Sequence, residues 1–364
     1  MKRVGILTVH KSLNYGAVLQ AYALNNVLIK NGYDAQIVNY ISEAVEEREH
    51  KSSFTVKGIL KYIIRANKYC ACKHKERKFR DFMKNYYVLS EKTYRKSDIQ
   101  DSGSVYDYFV TGSDQIWNFD ITNYDTVFML DFVTQREKKK SYAASFGYEA
   151  IPEAYKERTK EMLSEYSSLL VREYSGVQIL HQLGLSGKVV LDPTLLMDSE
   201  QWFDMVRPYH GEKYVLVYTV AAPTHLYDAA REMGKKLGVK VKIIKLEPTK
   251  NQPGMEQIYD ADPRNFVTLI KNAECVFTTS FHGLAFSLNL GTEVFFEADS
   301  SKNKNTTRLT HLAEMLGVMN RRIESSIVTD FSDNPIDWTK VQEKLQSERK
   351  KSTKYLLESL QYDR

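Results

Sequence analysis

The apolar run Val4-Gly5-Ile6-Leu7-Thr8-Val9, bounded by a polar loop from His10 to Asn14, predicts a strand buried on both faces. Through Gly16 to Leu28 the apolar positions Val18, Ala21, Tyr22, Leu24 and Leu28 recur at helical spacing, and Asn31-Gly32 closes the helix. Ala35 to Tyr40 then predicts a second strand. A strand, helix, strand opening implies an α/β protein whose parallel sheet has helices on its faces. The same rhythm returns at Tyr108 to Thr111, Ser141 to Ala144, Leu169 to Val171, Val189 to Leu191, Tyr214 to Val220, Val239 to Leu246, Cys275 to Thr278 and Glu293 to Phe296. Helices are expected over 153–166, 225–237, 263–273, 308–316 and 338–360.

A chain of 364 residues exceeds the size at which one hydrophobic core stops growing, so two domains are expected. The βα-rich halves part near residue 190, which sets the expected domains at 1–190 and 191–337, with a closing helix over 338–364. Charge changes the picture of the first half. Between Lys51 and Lys96 stand 14 Lys/Arg against 3 Asp/Glu, a local charge of +11, which leaves −6 for the rest of a chain whose net charge is +5. The apolar positions Val56, Ile59, Leu60, Ile63 and Ile64, with Lys57, Lys61, Arg65 and Lys68 around them, predict a basic helical insertion over about 51–96. Such a block is either a solvated helix face or a peripheral contact with anionic lipid. No nucleic-acid module surrounds it, so nucleic acid is not expected as a partner.

Six residues separate Arg3 from His10, too few for a signal-peptide core, and no run is long enough to span a bilayer. The sparse cysteines Cys70, Cys72 and Cys275 suggest reduced thiols, and a cytoplasmic location is expected. Cys70-x-Cys72-x-His74 lacks a second half, so no metal is expected there or elsewhere.

In open α/β sheets ligands bind beyond the carboxyl ends of the strands. After the first strand, His10 to Gly16 forms a polar loop without the glycines of a dinucleotide fingerprint or a P-loop. Gly112-Ser113-Asp114-Gln115 follows another strand, as a capped turn or as catalytic machinery. Arg172 stands at a strand tip, either paired with Glu173 or another acid or clamping an oxyanion. Thr279-Ser280-Phe281-His282-Gly283 joins a buried strand to an apolar helix, where a histidine can reach a ligand as acid or base.

The set Asn14-Tyr15-Gly16-Ala17, Gly112-Ser113-Asp114-Gln115-Ile116-Trp117-Asn118, Ser145-Phe146-Gly147, Val171-Arg172-Glu173 with Ser175, Asp192-Pro193-Thr194 and Ser280-Phe281-His282-Gly283 resembles the polysaccharide pyruvyltransferase family, over about residues 1–310. The resemblance implies two Rossmann-like domains facing a cleft, similar to the B-type glycosyltransferases, with the C-terminal helix packing back toward the first domain. It also implies transfer of pyruvate from phosphoenolpyruvate to two hydroxyls of a sugar or lipid-linked glycan, giving a cyclic ketal, with no cofactor. On that footing Arg172 binds the donor and His282 is the central acid or base or else a donor-contacting residue, with Asn14, Tyr15, Ser113, Gln115 and Ser280 lining the substrates. Some relatives carry an arginine two residues before this histidine, where this chain has Ser280; Arg308 is expected to supply the missing cation, and Asp114 to deprotonate the sugar hydroxyl. A cytoplasmic enzyme acting on a lipid-held glycan would have use for a basic segment at the inner membrane face. The alternatives are a glycosyltransferase using a nucleotide sugar, and a glycan-binding or scaffold protein without turnover.

Overall fold

The computed structural model describes residues 1–43, 45, 66–245, 251–298, 307–326, 331 and 333–361. Its first sheet is built from β1 (Arg3–Leu7), β2 (Asp34–Tyr40), β3 (Leu89–Tyr94), β4 (Tyr108–Thr111) and β5 (Lys139–Ser141), in the order β3-β2-β1-β4-β5 with every pairing parallel. A short pair, β6 (Leu170–Val171) and β7 (Lys188–Val189), continues from β5 through bridges between Lys140 and Ser168 and between Ala144 and Val171. The second sheet holds β8 (Tyr214–Tyr218), β9 (Lys240–Ile244), β10 (Glu256–Ile258), β11 (Cys275–Thr278) and β12 (Glu293–Phe296), in the order β10-β9-β8-β11-β12, again all parallel. The chain is thus α/β, with two parallel sheets in two domains.

The apolar sequence of β1 and β4 fits strands covered on both faces, since Val4, Ile6, Phe109 and Val110 have no solvent exposure. The helix Tyr15–Lys30 is buried almost all round from Tyr15 to Leu28. A helix apolar on all sides needs cover on all sides, and this one has the first sheet behind it and the second domain in front. Tyr15 stacks on Phe266 at 4.7 Å and its hydroxyl donates to the Ala261 carbonyl at 2.9 Å, while Tyr22 packs on Trp202. One hydrophobic cluster therefore runs from β1 through this helix into β8, β11 and the helix Phe281–Leu290, and it fixes the two domains against each other.

Pro193–Leu196 and Ser199–Phe203 are short helices in the connection between the sheets. The C-terminal helix Trp338–Ser359 lies along that connection: Ser352 Oγ accepts from the Leu191 amide at 3.0 Å, and Arg349 donates to the Leu195 carbonyl and to Asn289 Oδ1.

The basic stretch differs from its expected all-helical form. Ala66–Tyr86 is a helix, but Leu89–Tyr94 is the edge strand β3, paired with β2. Tyr94 and Ser90 turn inward while Glu91, Lys92 and Thr93 are exposed, which is how an edge strand carries charge and why its pattern reads as polar. Ile59, Leu60, Ile63, Ile64, Lys57, Lys61 and Arg65, the residues expected to meet lipid, lie outside the described residues, as does the side chain of Lys68. Among the described residues no helix is long and apolar enough to cross a membrane.

Candidate active site

In each sheet the strand order reverses beside the first strand, so the crevices between β1 and β4 and between β8 and β11 are the switch points where loops and helix N-termini diverge. The loop 112–118 follows β4 and the residues 279–280 follow β11. Asn14 caps the helix rising from the first crevice, accepting from the Gly16 and Ala17 amides. Ser280 caps the helix rising from the second, accepting from the Gly283 amide at 3.4 Å. The two helix starts meet: a Cβ on Gly16 would run into the imidazole ring of His282. Glycine at position 16 is what lets the histidine of one domain lie on the backbone of the other.

Around His282 the first domain supplies a cluster of charges. Arg172, 4% exposed, leaves the end of β6; its Nη1 donates to Asp192 Oδ2 at 3.1 Å and Asp114 Oδ1 at 3.2 Å, and its Nε lies 3.4 Å from Glu173 Oε2. Its guanidinium also covers the Phe281 ring at 5.1 Å. The structure shows the paired alternative for Arg172, and its Nη2 remains buried with no acceptor. His282 Nε2 stands 3.6 Å from Asp192 Oδ2, buried and otherwise unpartnered. Ser113 Oγ donates to the same Asp192 oxygen at 3.2 Å, and the Ser113 amide donates to Gln20 at 3.0 Å.

Arg308, in the first turn of the helix Thr307–Leu316, reaches across from the second domain to within 4.0 Å of Asp114 Oδ1. The amide oxygen of Gln115, turned toward it, accepts from Nη2 at 2.6 Å and Nη1 at 3.2 Å. Arg308 Nε remains buried without an acceptor. Arg172 and Arg308 line one small pocket with Asp192, Phe281, His311 and Leu312.

The electrostatics follow from these distances. Burial would raise the Asp114 carboxyl, but the charges of Arg172, His282 and Arg308 hold it below its ordinary value. Asp192 is fully buried, yet His282, Arg172 and the Thr194 amide hold its carboxyl far below the usual range. Arg308 is pushed down to about 10 by burial and by the neighbouring charge of Arg172. Asp114 also sits at φ +63°, a left-handed conformation that aspartate tolerates better than most residues and that aims its carboxylate at both guanidiniums.

The structure brings His282, Asp114, Arg172, Arg308, Ser113 and Gln115 together. Asn14 and Ser280 are occupied as helix caps at the site's edge. Tyr15 is not at the cleft surface: fully buried between the domains, its hydroxyl is spent on Ala261. From the sequence Asp192, in the block Asp192-Pro193-Thr194, takes no role of its own, although an aspartate before Pro-Thr has the pattern of a helix cap. It is one, with Oδ1 accepting from the Thr194 amide and hydroxyl, but its other oxygen meets Arg172, Ser113 and His282. Among the described residues no three His, Cys, Asp or Glu side chains group as metal ligands.

The fold is shared with nucleotide-sugar enzymes. UDP-GlcNAc 2-epimerase of Methanocaldococcus jannaschii superposes with a TM-score of 0.50 at 14% identity, and its complex with UDP-GlcNAc and UDP with 0.50 at 12%, each over 100% of both chains. At such identities the likeness establishes the fold, that of the B-type glycosyltransferases and epimerases. No curated protein matches the chain significantly. A family model for polysaccharide pyruvyl transferase matches residues 14–301, which hold every residue of the charged cluster except Arg308. The chain belongs to the polysaccharide pyruvyl transferase family and is a transferase.

Proposed function

We propose that the protein transfers the pyruvyl group of phosphoenolpyruvate to two hydroxyls of one sugar in a cell-surface polysaccharide or its lipid-linked precursor, forming a cyclic ketal and releasing phosphate. The observation that carries this reading is a pair of buried arginines from different domains, each with an unpartnered N–H, beside an imidazole at a switch point. A buried donor without an acceptor costs about 1–3 kcal/mol, and the carboxylate and phosphate oxygens of the donor would recover it.

In the reaction the imidazolium form of His282 gives a proton to C3 of the enol, whose methylene becomes a methyl as C2 turns electrophilic. The first sugar hydroxyl adds to C2 and returns its proton to His282. The second hydroxyl then attacks C2 as the C2–O bond to phosphate breaks, its proton leaving with the phosphate. Asp114 is the group expected to take the hydroxyl proton, but a carboxylate held low between two guanidiniums is a weak base, and it suits better a hydrogen bond that orients the hydroxyl. Arg308 supplies the cation that Ser280 does not.

A nucleotide-sugar donor has the shared fold behind it and one feature against it. The N-terminus of the helix Leu226–Leu237, which follows β8 at the second switch point, is where a diphosphate would bind. There the buried Glu297 carboxylate already accepts from the Thr224, His225 and Leu226 amides at 2.5, 2.9 and 2.8 Å.

The test supplies phosphoenolpyruvate or a UDP-sugar panel with glycan and lipid-linked acceptors and follows phosphate release and product mass. An acceptor heavier by one pyruvic acid less one water, the increment of a pyruvyl ketal, supports the reading. Consumption of a UDP-sugar instead, or glycan binding without turnover of any donor, refutes it.

A further inference from the structure

We propose that Asp192 is a positioning residue that keeps a hydrogen on Nε2 of His282, so that Nδ1, lying over Gly16, is the nitrogen that gains and gives the reacting proton. The geometry is directional. Nε2 points into the protein, 3.6 Å from Asp192 Oδ2, and it is the ring nitrogen that is buried with no other partner. Nδ1 is the ring atom nearest the position of a Cβ on Gly16, at the start of the helix bordering the first crevice. An ionised carboxylate accepts and cannot donate, so the nitrogen facing it carries the hydrogen and the lone pair is left on the other.

The charges around the ring agree with that assignment. Asp192 stands behind it, Asp114 and Arg172 come from the first domain's strand ends, and Arg308 comes from the helix Thr307–Leu316. Of the two carboxylates, Asp192 is the one in ion-pair range of the ring. The oxygen facing Nε2 also receives Arg172 Nη1 and Ser113 Oγ, so one atom fixes the imidazole of the second domain relative to the guanidinium of the first. A carboxylate that sets a catalytic imidazole's tautomer recurs on unrelated folds, and second-partner groups of this kind are worth about 10- to 100-fold or more in activity.

The catalytic consequence rests on the pyruvyl-transfer reading; the tautomer does not. The test is therefore an NMR measurement first. In protein labelled with 15N-histidine, with His282→Gln to identify the signal, long-range 1H–15N correlations above neutral pH should show the Nε2–H form dominating in the wild type. In Asp192→Asn, which keeps the helix cap because asparagine caps as well as aspartate, the signal should move toward a mixture of both forms. A wild-type ring in the Nδ1–H form overturns the proposal with no variant needed, and so does a tautomer unchanged in a folded Asp192→Asn.

With phosphoenolpyruvate as donor, Asp192→Asn should lower kcat by about 100-fold or more, and should add little to the loss already caused by His282→Gln. Losses that multiply independently also overturn the proposal. A wild-type protein that consumes no phosphoenolpyruvate refutes the pyruvyl-transfer reading and leaves the tautomer measurement standing.

Discussion

Gly16→Ala tests the link between the sequence motif Asn14-Tyr15-Gly16-Ala17 and the site. In a helix this substitution ordinarily stabilises by about 0.5–1 kcal/mol, since alanine loses less backbone freedom than glycine. Here the added methyl would stand 2.5 Å from His282 Cγ and closer still to Nδ1 and Cε1. Carbon contacts settle near 3.5 Å or more, so the ring must retreat by roughly 1 Å. The imidazole has little room for that, with Asp192 Oδ2 behind it at 3.6 Å and 6% of the residue exposed. Overpacking of this kind costs about 1–3 kcal/mol, which exceeds the helical gain. A displacement of about 1 Å at a catalytic group costs about 100-fold in rate. Gly16→Ala should therefore fold, lose about 1–2 kcal/mol in urea titration after the helical gain is deducted, and lose about 100-fold in phosphate release. A variant that is more stable than the wild type and fully active would show that His282 does not need its place over the helix start.

Arg308→Ala should raise the KM for phosphoenolpyruvate by about 10-fold or more, with Arg308→Lys recovering little because a single ammonium cannot replace both the Gln115 contact and the free Nε; unchanged donor affinity would remove Arg308 from the donor site. Glu297→Gln should destabilise by about 1–2 kcal/mol in thermal or urea unfolding, because a carboxylate that accepts three amides at a helix N-terminus becomes neutral; no loss would mean the contacts are replaceable by water. His10 has its pKa lowered to about 4 by burial, so between pH 6.5 and 4 the unfolded chain binds a proton that the folded chain refuses. Stability should fall as pH drops through that window, by on the order of 3 kcal/mol from this group, and His10→Gln should flatten that part of the curve. A variant with the wild-type pH dependence would refute the assignment.

What could be read from the sequence, and what could not, divides along physical lines. Strands covered on both faces announce themselves, and β1, β4, β8, β11 and β12 fall where continuous apolar runs predict them. Long helices do so by their period, and Pro263–Lys271 even carries its Asp262 cap with the reciprocal Asn265 contact. The edge strands β3 and β10 do not, because Glu91, Lys92 and Glu256 serve an exposed edge where charge prevents further pairing, and charge erases the apolar signal. The strand tips carrying Ser113, Asp114, Arg172 and His282 were legible as candidates because ligands in open α/β sheets bind beyond the carboxyl ends of the strands, and the structure brings these four together.

Partnership across the chain is a different kind of information. Asp192 and His282 are 90 residues apart in sequence, and no local pattern marks the one as the neighbour of the other. The same holds for Tyr15, whose place beside Asn14 and Gly16 makes it look like a cleft residue, whereas the stack on Phe266 and the bond to Ala261 make it a pin between domains. For Tyr15 the cause is the helix it stands on. The helix Tyr15–Lys30 belongs to the first sheet by sequence but is covered by the second domain, so its side chains answer to residues far along the chain. Two faces of the helix start do different work at one spot: the Tyr15 ring locks the domains together, and the bare backbone of Gly16, one residue later, takes the His282 ring. Activity in this protein should therefore be as sensitive to the packing around Tyr15 and Phe266, which touches no reacting atom, as to the charges around Asp192.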